Sequence, residues 1–351
     1  MHPTPSSSSV SVAMATYNGA SFIEEQLGSL VAQTHLPAEL VVSDDGSTDG
    51  TLDLIRSFAR TAPFDVRILP EHARLGFSDN FLNAAEQCRG DYIAFCDQDD
   101  GWLPHKLETQ LFRMRQDGSL LSLHRLVITD AALQPTGEIW DQAIAEDRVL
   151  EPTEFDPYGT GWGNSMLFDR RLVHLLSRSE RPRQPEKEQL PLSHDHWIYA
   201  LAAGLGKVSH LMEPLLLYRQ HASNAYGITP VPLFIQIRAA IAIPASRLIA
   251  EEAFDRELST IFDRIGTRHP DLRALASVAQ RVYRERADLC RFRLNTYEGK
   301  GIRRRLRAFR ESRKISFYAP TGRSSVKEAV FGVLGIGGIL RPAIDRLFVG
   351  R

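Results

Sequence analysis

Along the first two thirds of the chain the hydrophobic pattern changes period at regular intervals. Val10 to Ala15 is a short, mostly apolar strand, and Thr16-Tyr17-Asn18-Gly19 after it reads as a turn. Ala20 to Gln33 then carries Phe22, Ile23, Leu27, Leu30 and Val31 at helical spacing. Glu39-Leu40-Val41-Val42 returns to the strand pattern and stops in the acidic turn Ser43 to Asp49, ahead of a helix bearing Leu52, Ile55 and Phe58. Strand, turn and helix signals recur at Val66 to Leu69, at Asn80 to Cys88 and at Tyr92 to Cys96, an alternation that predicts a parallel sheet covered by helices. Arg181 to Pro191 is polar and proline-bearing and reads as a loop, while the pattern from Pro232 onward is helical. A boundary near Tyr226 to Pro232 divides the chain into a frayed tail at 1–9, an α/β domain at 10–228 and a helical extension at 229–351.

Charge adds to this division. The net charge of −1 conceals a cancellation: residues 1–228 hold 18 Lys+Arg and 31 Asp+Glu, whereas residues 229–351 hold 24 and 12. The acidic part calls for a cation and the basic part for an anionic surface. The 3 cysteines are too few and too scattered for a disulfide framework or a zinc site, which points to a reducing compartment. Pro3 to Ser9 is polar and lacks the apolar core of a secretory signal.

The strand Tyr92 to Cys96 ends abruptly in Asp97-Gln98-Asp99-Asp100. Carboxylates concentrated where an α/β sheet delivers its chain to a crevice repel one another, so the turn is either a solvated acidic loop or the site of a hard divalent cation. Asp44 stands where the second strand gives way to its turn, placed to accept from a nucleobase imide N–H, with Tyr17 offering a ring face. Asp195, between His194 and His196 and ahead of an apolar run, reads as a carboxylate at a helix N-terminus, either an N-cap or a base for a substrate hydroxyl. His221 closes the acidic part of the chain, as a structural histidine or a metal ligand. Several classes are excluded. The first strand is not followed by Gly-x-Gly-x-x-Gly, no Gly-x-x-x-x-Gly-Lys-Ser/Thr occurs, and the calcium loop suggested by Asp45 to Gly50 fails at its twelfth position, Arg56.

Taken in order, Val10-Ser11-Val12-Ala13-Met14-Ala15-Thr16-Tyr17-Asn18, Val42-Ser43-Asp44-Asp45-Gly46-Ser47-Thr48-Asp49, Asp97-Gln98-Asp99-Asp100 and His194-Asp195-x-Trp197 resemble the family 2 glycosyltransferases. The resemblance runs from Val10 to Gly227, about two thirds of the chain. It implies an α/β GT-A nucleotide-diphospho-sugar transferase fold, a Rossmann-like mixed sheet with flanking helices, here followed by the C-terminal helical extension. It further implies that Thr16, Tyr17, Asn18, Asp44 and Asp45 hold the nucleotide and that Arg74 contacts its phosphates. Asp97 would bind the ribose or the metal, Asp99 would be the principal metal ligand and His221 a second, and Asp195 the catalytic base. The implied cofactor is Mg²⁺ or Mn²⁺, and the implied chemistry a single inverting displacement. The ending Tyr218-Arg219-Gln220-His221-x-x-Asn224-x-x-Gly227 is similar to non-processive bacterial enzymes that include rhamnosyltransferases of surface polysaccharides, and the Gln-x-x-Arg-Trp signature of processive synthases is missing. That branch implies a dTDP-rhamnose or UDP-sugar donor and a lipid-linked glycan acceptor in surface polysaccharide or O-antigen assembly. A nucleotide-sugar hydrolase and an inactive sugar-nucleotide-binding scaffold are the rival readings.

Lys300 to Lys314 holds 8 basic residues against the single acid Glu311, with Ile302, Leu306 and Phe309 on one helical face. This pattern suits an anionic membrane surface or a charged helix packed against the chain's own acidic domain, and Ala329 to Leu340 is apolar but too short to span a bilayer. The expectation is a protein peripheral on the cytoplasmic face of the plasma membrane. No aromatic platform is interleaved with the arginines, so nucleic acid is not an expected partner.

Overall fold

The computed structural model describes residues 8–140, 146–154, 161–185, 187, 189–221, 245–298 and 303. The expected domain boundary and, apart from Arg303, the basic segment and the apolar run beyond it lie outside the described residues. The chain divides into two compact units, Met1–Arg181 with Leu192–Ile228, and Pro182–Pro191 with Thr229–Arg351.

In the first unit the apolar runs become strands buried on both faces. β1 (Val10–Thr16) pairs in parallel with β2 (Glu39–Asp44) and β4 (Tyr92–Cys96), and β2 pairs with β3 (Asp65–Ile68). The order β3-β2-β1-β4 reverses direction between β1 and β4, and a parallel sheet opens a crevice outside its carboxyl ends at such a point. Register places Thr16 beside Asp44 and Met14 beside Cys96, so the turns after β1, β2 and β4 emerge together. Helices α1 (Ile23–Val31), α2 (Thr51–Ala59) and α3 (Phe77–Glu86) make the crossovers, each sealing an apolar stripe on the sheet.

The expected parallel sheet is only half of the assembly. Beyond β4 come β5 (Gly101–Trp102), helix α4 (Lys106–Asp117), β6 (Ser119–Thr129), β7 (Pro135–Trp140), β8 (Arg148–Leu150), β9 (Leu167–Asp169), helix α5 (His194–Leu205) and β10 (Lys207–Arg219). β9 is inserted antiparallel between β4 and β6, and β10 runs parallel to β6, so the sheet is mixed. The two-residue β5 pairs antiparallel with the end of β10, Gly101 opposite Leu217, and continuing that register sets Asp99 across from Arg219. This pairing carries the end of β10 to the acidic turn. In the second unit, α6 (Ala245–Arg268) and α7 (Arg273–Glu298) form a helical pair with Phe262 stacked on Tyr283 at 5.3 Å. Among the described residues no helix is long and apolar enough to cross a membrane.

One charged group lies wholly inside the first unit. Lys106, at the start of α4, donates through Nζ to Gln110 Oε1 (2.9 Å) and to His124 Nε2 (2.8 Å), and sits 4.7 Å from the centroid of the Trp102 ring. His124 therefore carries its proton on Nδ1, which donates to the Arg125 carbonyl at 2.6 Å. Burial lowers the Lys106 amine from 10.5 to about 7. Burial, reinforced by Lys106, holds His124 well below its ordinary value, so the imidazole is neutral. Between pH 7 and 10.5 the unfolded chain holds a proton on Lys106 that the folded chain sheds, so folding stability rises with pH across that window and is flat below it. In denaturant titrations at about pH 7 and about pH 9, wild type is expected to gain stability at the higher pH and Lys106→Met to gain less; equal gains would show that the buried amine is not the source.

Candidate active site

One side of the crevice is built from the turns after β1 and β2. Thr16 Oγ1 donates to Asp44 Oδ2 at 2.7 Å, the Gly46 and Ser47 N–H groups donate to Oδ1 at 3.0 and 2.8 Å, and Ser47 Oγ donates to Oδ2 at 2.6 Å. These bonds occupy the four acceptor positions of the Asp44 carboxylate, so it accepts from a nucleobase only if a hydroxyl turns away. Asn18, at φ 50, locks the same two turns together: its N–H donates to Ser47 Oγ (2.8 Å) and its Oδ1 accepts from Thr48 N–H (2.9 Å). Asp45 is buried and accepts from the Leu75 and Gly76 N–H groups, both at 2.7 Å. Asn18 and Asp45, expected as nucleotide contacts, thus bond the surrounding turns, Asn18 to Ser47 and Thr48 and Asp45 to the loop before α3. A carboxylate among free backbone N–H groups in a turn satisfies them before it can serve a ligand.

What Asp45 holds is the loop that carries Arg74, whose guanidinium lies 4.2 Å from the centroid of the Tyr17 ring. Gly76, at φ 80, makes the left-handed step from this loop into α3. Tyr17 is 41% exposed, and its backbone is pinned by Gln98, which accepts the Tyr17 N–H at 3.0 Å and donates to the Tyr17 carbonyl at 3.1 Å. An aromatic face and a guanidinium thus stand together at the mouth, and Gln98 ties them to the acidic turn.

In that turn each carboxyl has a different fate. Asp100 is buried, accepts from Asn164 Nδ2 (2.6 Å) and from the Arg219 N–H (3.2 Å), and is pushed well above its ordinary value by burial and by Asp99 and Asp97. Asp99 Oδ2 meets His221 Nε2 at 2.8 Å, and the His221 ring stacks on Phe22 at 4.3 Å. Asp97 is raised to about 8, first by loss of water and then by the charges of Asp99 and Asp195. Three carboxylates and a histidine from separate parts of the chain therefore act on one another.

The fourth side is the start of α5. Asp195 accepts from Ser193 Oγ at 2.5 Å and from the His196 N–H at 2.8 Å. Burial would raise its pKa, but His194, His196 and the Ser193 hydroxyl overcome that and hold it far below the carboxylate range. Burial lowers His194 to about 4, so at neutral pH the ring is uncharged and the bonds from Ser193 and His196 carry most of the stabilisation. His194 stacks on Phe81 at 4.2 Å and stands edge-on to Phe95 and Phe77 at 4.8 and 5.6 Å. Ser78 Oγ accepts from the His194 N–H (2.8 Å) and from Arg181 Nη1 (3.0 Å), which fixes the start of α5 against the start of α3. A Cβ at Gly163 would come within 2.6 Å of His194 Nε2, so this segment closes on α5 only because residue 163 is glycine. Gln98, Gly163, Asn164 and Arg219 were not singled out as site residues in the sequence. Gln98 and Arg219 lie inside the motifs Asp97-Gln98-Asp99-Asp100 and Tyr218-Arg219-Gln220-His221, and the Gly161-Trp162-Gly163 spacing is a local signal at Gly163 and Asn164.

The donor set fits a divalent cation in chemistry: the carboxylate of Asp99 and the imidazole of His221 already meet, and Asp97, raised to about 8 by burial and by its neighbours' charges, is a carboxyl whose ionised form a cation would favour. Among the described residues, no three His, Cys, Asp or Glu side chains are arranged as a complete metal cage. The expected set of Asp97, Asp99 and His221 is thus a contacting pair with a neighbouring carboxyl.

Comparison with known proteins agrees with this geometry. Residues 11–173 match the sequence profile of glycosyl transferase family 2. Over 221 residues the chain is 28% identical to the dTDP-rhamnosyl transferase RfbG of Shigella flexneri, covering 61% of this chain and 73% of that protein. Over 106 residues it is 38% identical to the putative teichuronic acid biosynthesis glycosyltransferase TuaG of Bacillus subtilis, covering 29% of this chain and 40% of that one. It also aligns over 225 residues, at 28% identity, with an uncharacterized protein of Mycobacterium tuberculosis, spanning 62% of this chain and 60% of the relative's length. The crystal structure of S. aureus TarS 1–349 in complex with UDP-GlcNAc superposes with a TM-score of 0.51 at 17% identity, covering 87% of this chain and 90% of that one, a likeness of fold. Within the α/β unit built around β1, β2 and β4, it is residues 11–173 that carry this similarity to glycosyl transferase family 2.

Proposed function

We propose that the chain is an inverting glycosyltransferase that moves a sugar from a nucleoside-diphosphate donor to a lipid-linked glycan acceptor in bacterial surface polysaccharide or O-antigen assembly. One observation carries the reading: Asp97, Asp99, Asp195 and His221 act on one another at the carboxyl ends of the strands, beside the aromatic and cationic mouth formed by Tyr17 and Arg74. Such an arrangement suits a ligand with a flat base, an anionic middle and a reacting end. The name of RfbG supports dTDP-rhamnose as donor, and that of TuaG a product of the teichuronic acid kind; a UDP-sugar is the alternative donor.

Tyr17 and Arg74 receive the base and the diphosphate. Asp99 and His221, with Asp97, hold Mg²⁺ or Mn²⁺, which when bound offsets charge on the departing diphosphate. Asp195 is ionised throughout the neutral range and takes the proton of the acceptor hydroxyl on a carboxylate oxygen. To do so it exchanges the Ser193 Oγ–H bond for the acceptor O–H, so the hydroxyl enters where Ser193 now donates. Its low basicity is the cost of being ionised, and the buried, neutral His194 keeps a competing positive charge away from the transfer. A single displacement on the face opposite the leaving diphosphate inverts the anomeric centre.

Asp195→Asn is expected to lower the turnover of acceptor-dependent transfer by about 10²- to 10⁴-fold while nucleotide binding by calorimetry is kept, and retained turnover would remove Asp195 from the role of base. Donor breakdown that proceeds equally without acceptor would identify a hydrolase.

The basic segment supports a site at the cytoplasmic face of the plasma membrane, where a lipid-linked acceptor is presented. In sedimentation with anionic vesicles, wild type is expected in the pellet and the fourfold replacement of Arg303, Arg304, Arg305 and Arg307 by Glu in the supernatant. Equal sedimentation of the two proteins would refute the membrane role of this segment.

A further inference from the structure

Arg219 ends β10 with 2% of its surface exposed. A guanidinium has five N–H donors and no acceptor, so a buried one stays only where oxygens meet it. Nε donates to the Asp99 carbonyl at 2.7 Å, Nη1 to the Ala131 carbonyl at 2.6 Å, and Nη2 to the Glu25 carboxylate. The same group lies 4.9 Å from the centroid of the Phe22 ring, and that ring stacks on His221. The contacts close into a circuit. Arg219 fixes the backbone of Asp99, the carboxylate of Asp99 meets His221, His221 lies against Phe22, and Phe22 lies against Arg219.

We propose that Arg219 is the positioning residue of the Asp99 and His221 pair, one guanidinium setting both the acidic turn and the ring that faces it, and thereby the affinity of the pair for a divalent cation. The inference rests on the cation reading above. Asp99 and His221 are 122 positions apart, and the β5–β10 pairing that brings them together is only two residues long. So short a ladder leaves Asp99 some freedom, because the bonds of Gln98 and Asp100 anchor the residues on either side of it and not Asp99 itself, and the placing of a ligand bears on cation affinity. Arg219 removes that freedom by bonding the turn, α1 and the loop after β6 at once. Lysine does not replace it, because an ammonium on a flexible stem is a point charge without the planar fork.

Charge and position predict opposite signs, which makes the inference decidable. If Arg219 acted only as a charge, removing a cation from beside the pair would tighten cation binding. If it positions the pair, removing it weakens binding, and loss of such supporting partners typically costs about 10- to 100-fold in metal affinity. The test is a Mn²⁺ titration followed by the electron paramagnetic resonance of free Mn²⁺, with UDP or dTDP present, on wild type, Arg219→Met, Arg219→Lys and Phe22→Leu. Thermal unfolding and cation-free nucleotide binding are measured alongside. Arg219→Met is expected to weaken Mn²⁺ binding by about 10-fold or more with cation-free nucleotide affinity kept. Arg219→Lys is expected to recover thermal stability but not Mn²⁺ affinity, and Phe22→Leu to lose affinity with little change in unfolding temperature. Mn²⁺ binding as tight as wild type, or tighter, in Arg219→Met overturns the proposal. Should that variant not fold, unchanged affinity in Phe22→Leu overturns it instead. A wild type that binds nucleotide but no Mn²⁺ overturns the cation reading and this inference together, whereas weaker binding confined to the variants supports both.

Discussion

The structure turns on how it tolerates carboxylates crowded at the end of β4. Two like charges about 4 Å apart at an effective dielectric of about 20 repel by about 4 kcal/mol, a large fraction of the 5 to 15 kcal/mol by which a typical domain is stable. The fold answers each charge separately. Asp100 is turned inward, pushed well above its ordinary value by burial and by Asp99 and Asp97, and met by Asn164 and the Arg219 N–H. Asp99 is met by His221, and Asp97 is left with its pKa raised to about 8. Every partner used comes from another part of the chain: Asn164 from the segment before β9, Arg219 and His221 from the end of β10. The long-range half of the sheet is therefore the scaffold that makes the acidic turn tenable.

That dependence explains how far the sequence could be read. β1, β2, β4 and their helices are written locally: an apolar run of strand length, a turn, then an apolar stripe at helical spacing, each signal contained in a dozen residues or so. The second half is not. β5 is two residues long and β9 three, and each exists because a neighbouring strand offers it hydrogen bonds, so no window of sequence around them carries a pattern. The site divides the same way. Asp99, Asp195 and His221 were picked out because a carboxylate or imidazole at the end of an apolar run is conspicuous. Asn18 and Asp45 were assigned to the ligand only through the resemblance, and in the structure they bond Thr48, Leu75 and Gly76. From residue type and position alone, a turn carboxylate that binds backbone is indistinguishable from one that binds substrate. Arg219 was invisible in a further way, because a basic residue two positions before a histidine gives no hint that it is buried.

The electrostatics separate the carboxyls by role. Asp97 and Asp195 feel each other's charge, yet one is pushed toward neutrality and the other held far into the ionised range. The difference is not burial, since loss of water acts on both in the same direction. It comes from donors: Asp195 has the Ser193 hydroxyl and the first turn of α5, while repulsion from Asp99 and Asp195 acts on Asp97. Environments that drive neighbouring carboxyls apart divide proton-holding from proton-accepting tasks between them. A group raised to about 8 gains most from a nearby cation, because the cation removes the penalty on its charge. A group already stabilised as an anion gains little from one, but stands ready for a proton from any hydroxyl that displaces its serine. The proposed division of labour between a cation-facing Asp97 and a hydroxyl-facing Asp195 rests on which backbone and side-chain donors each end of the crevice supplies.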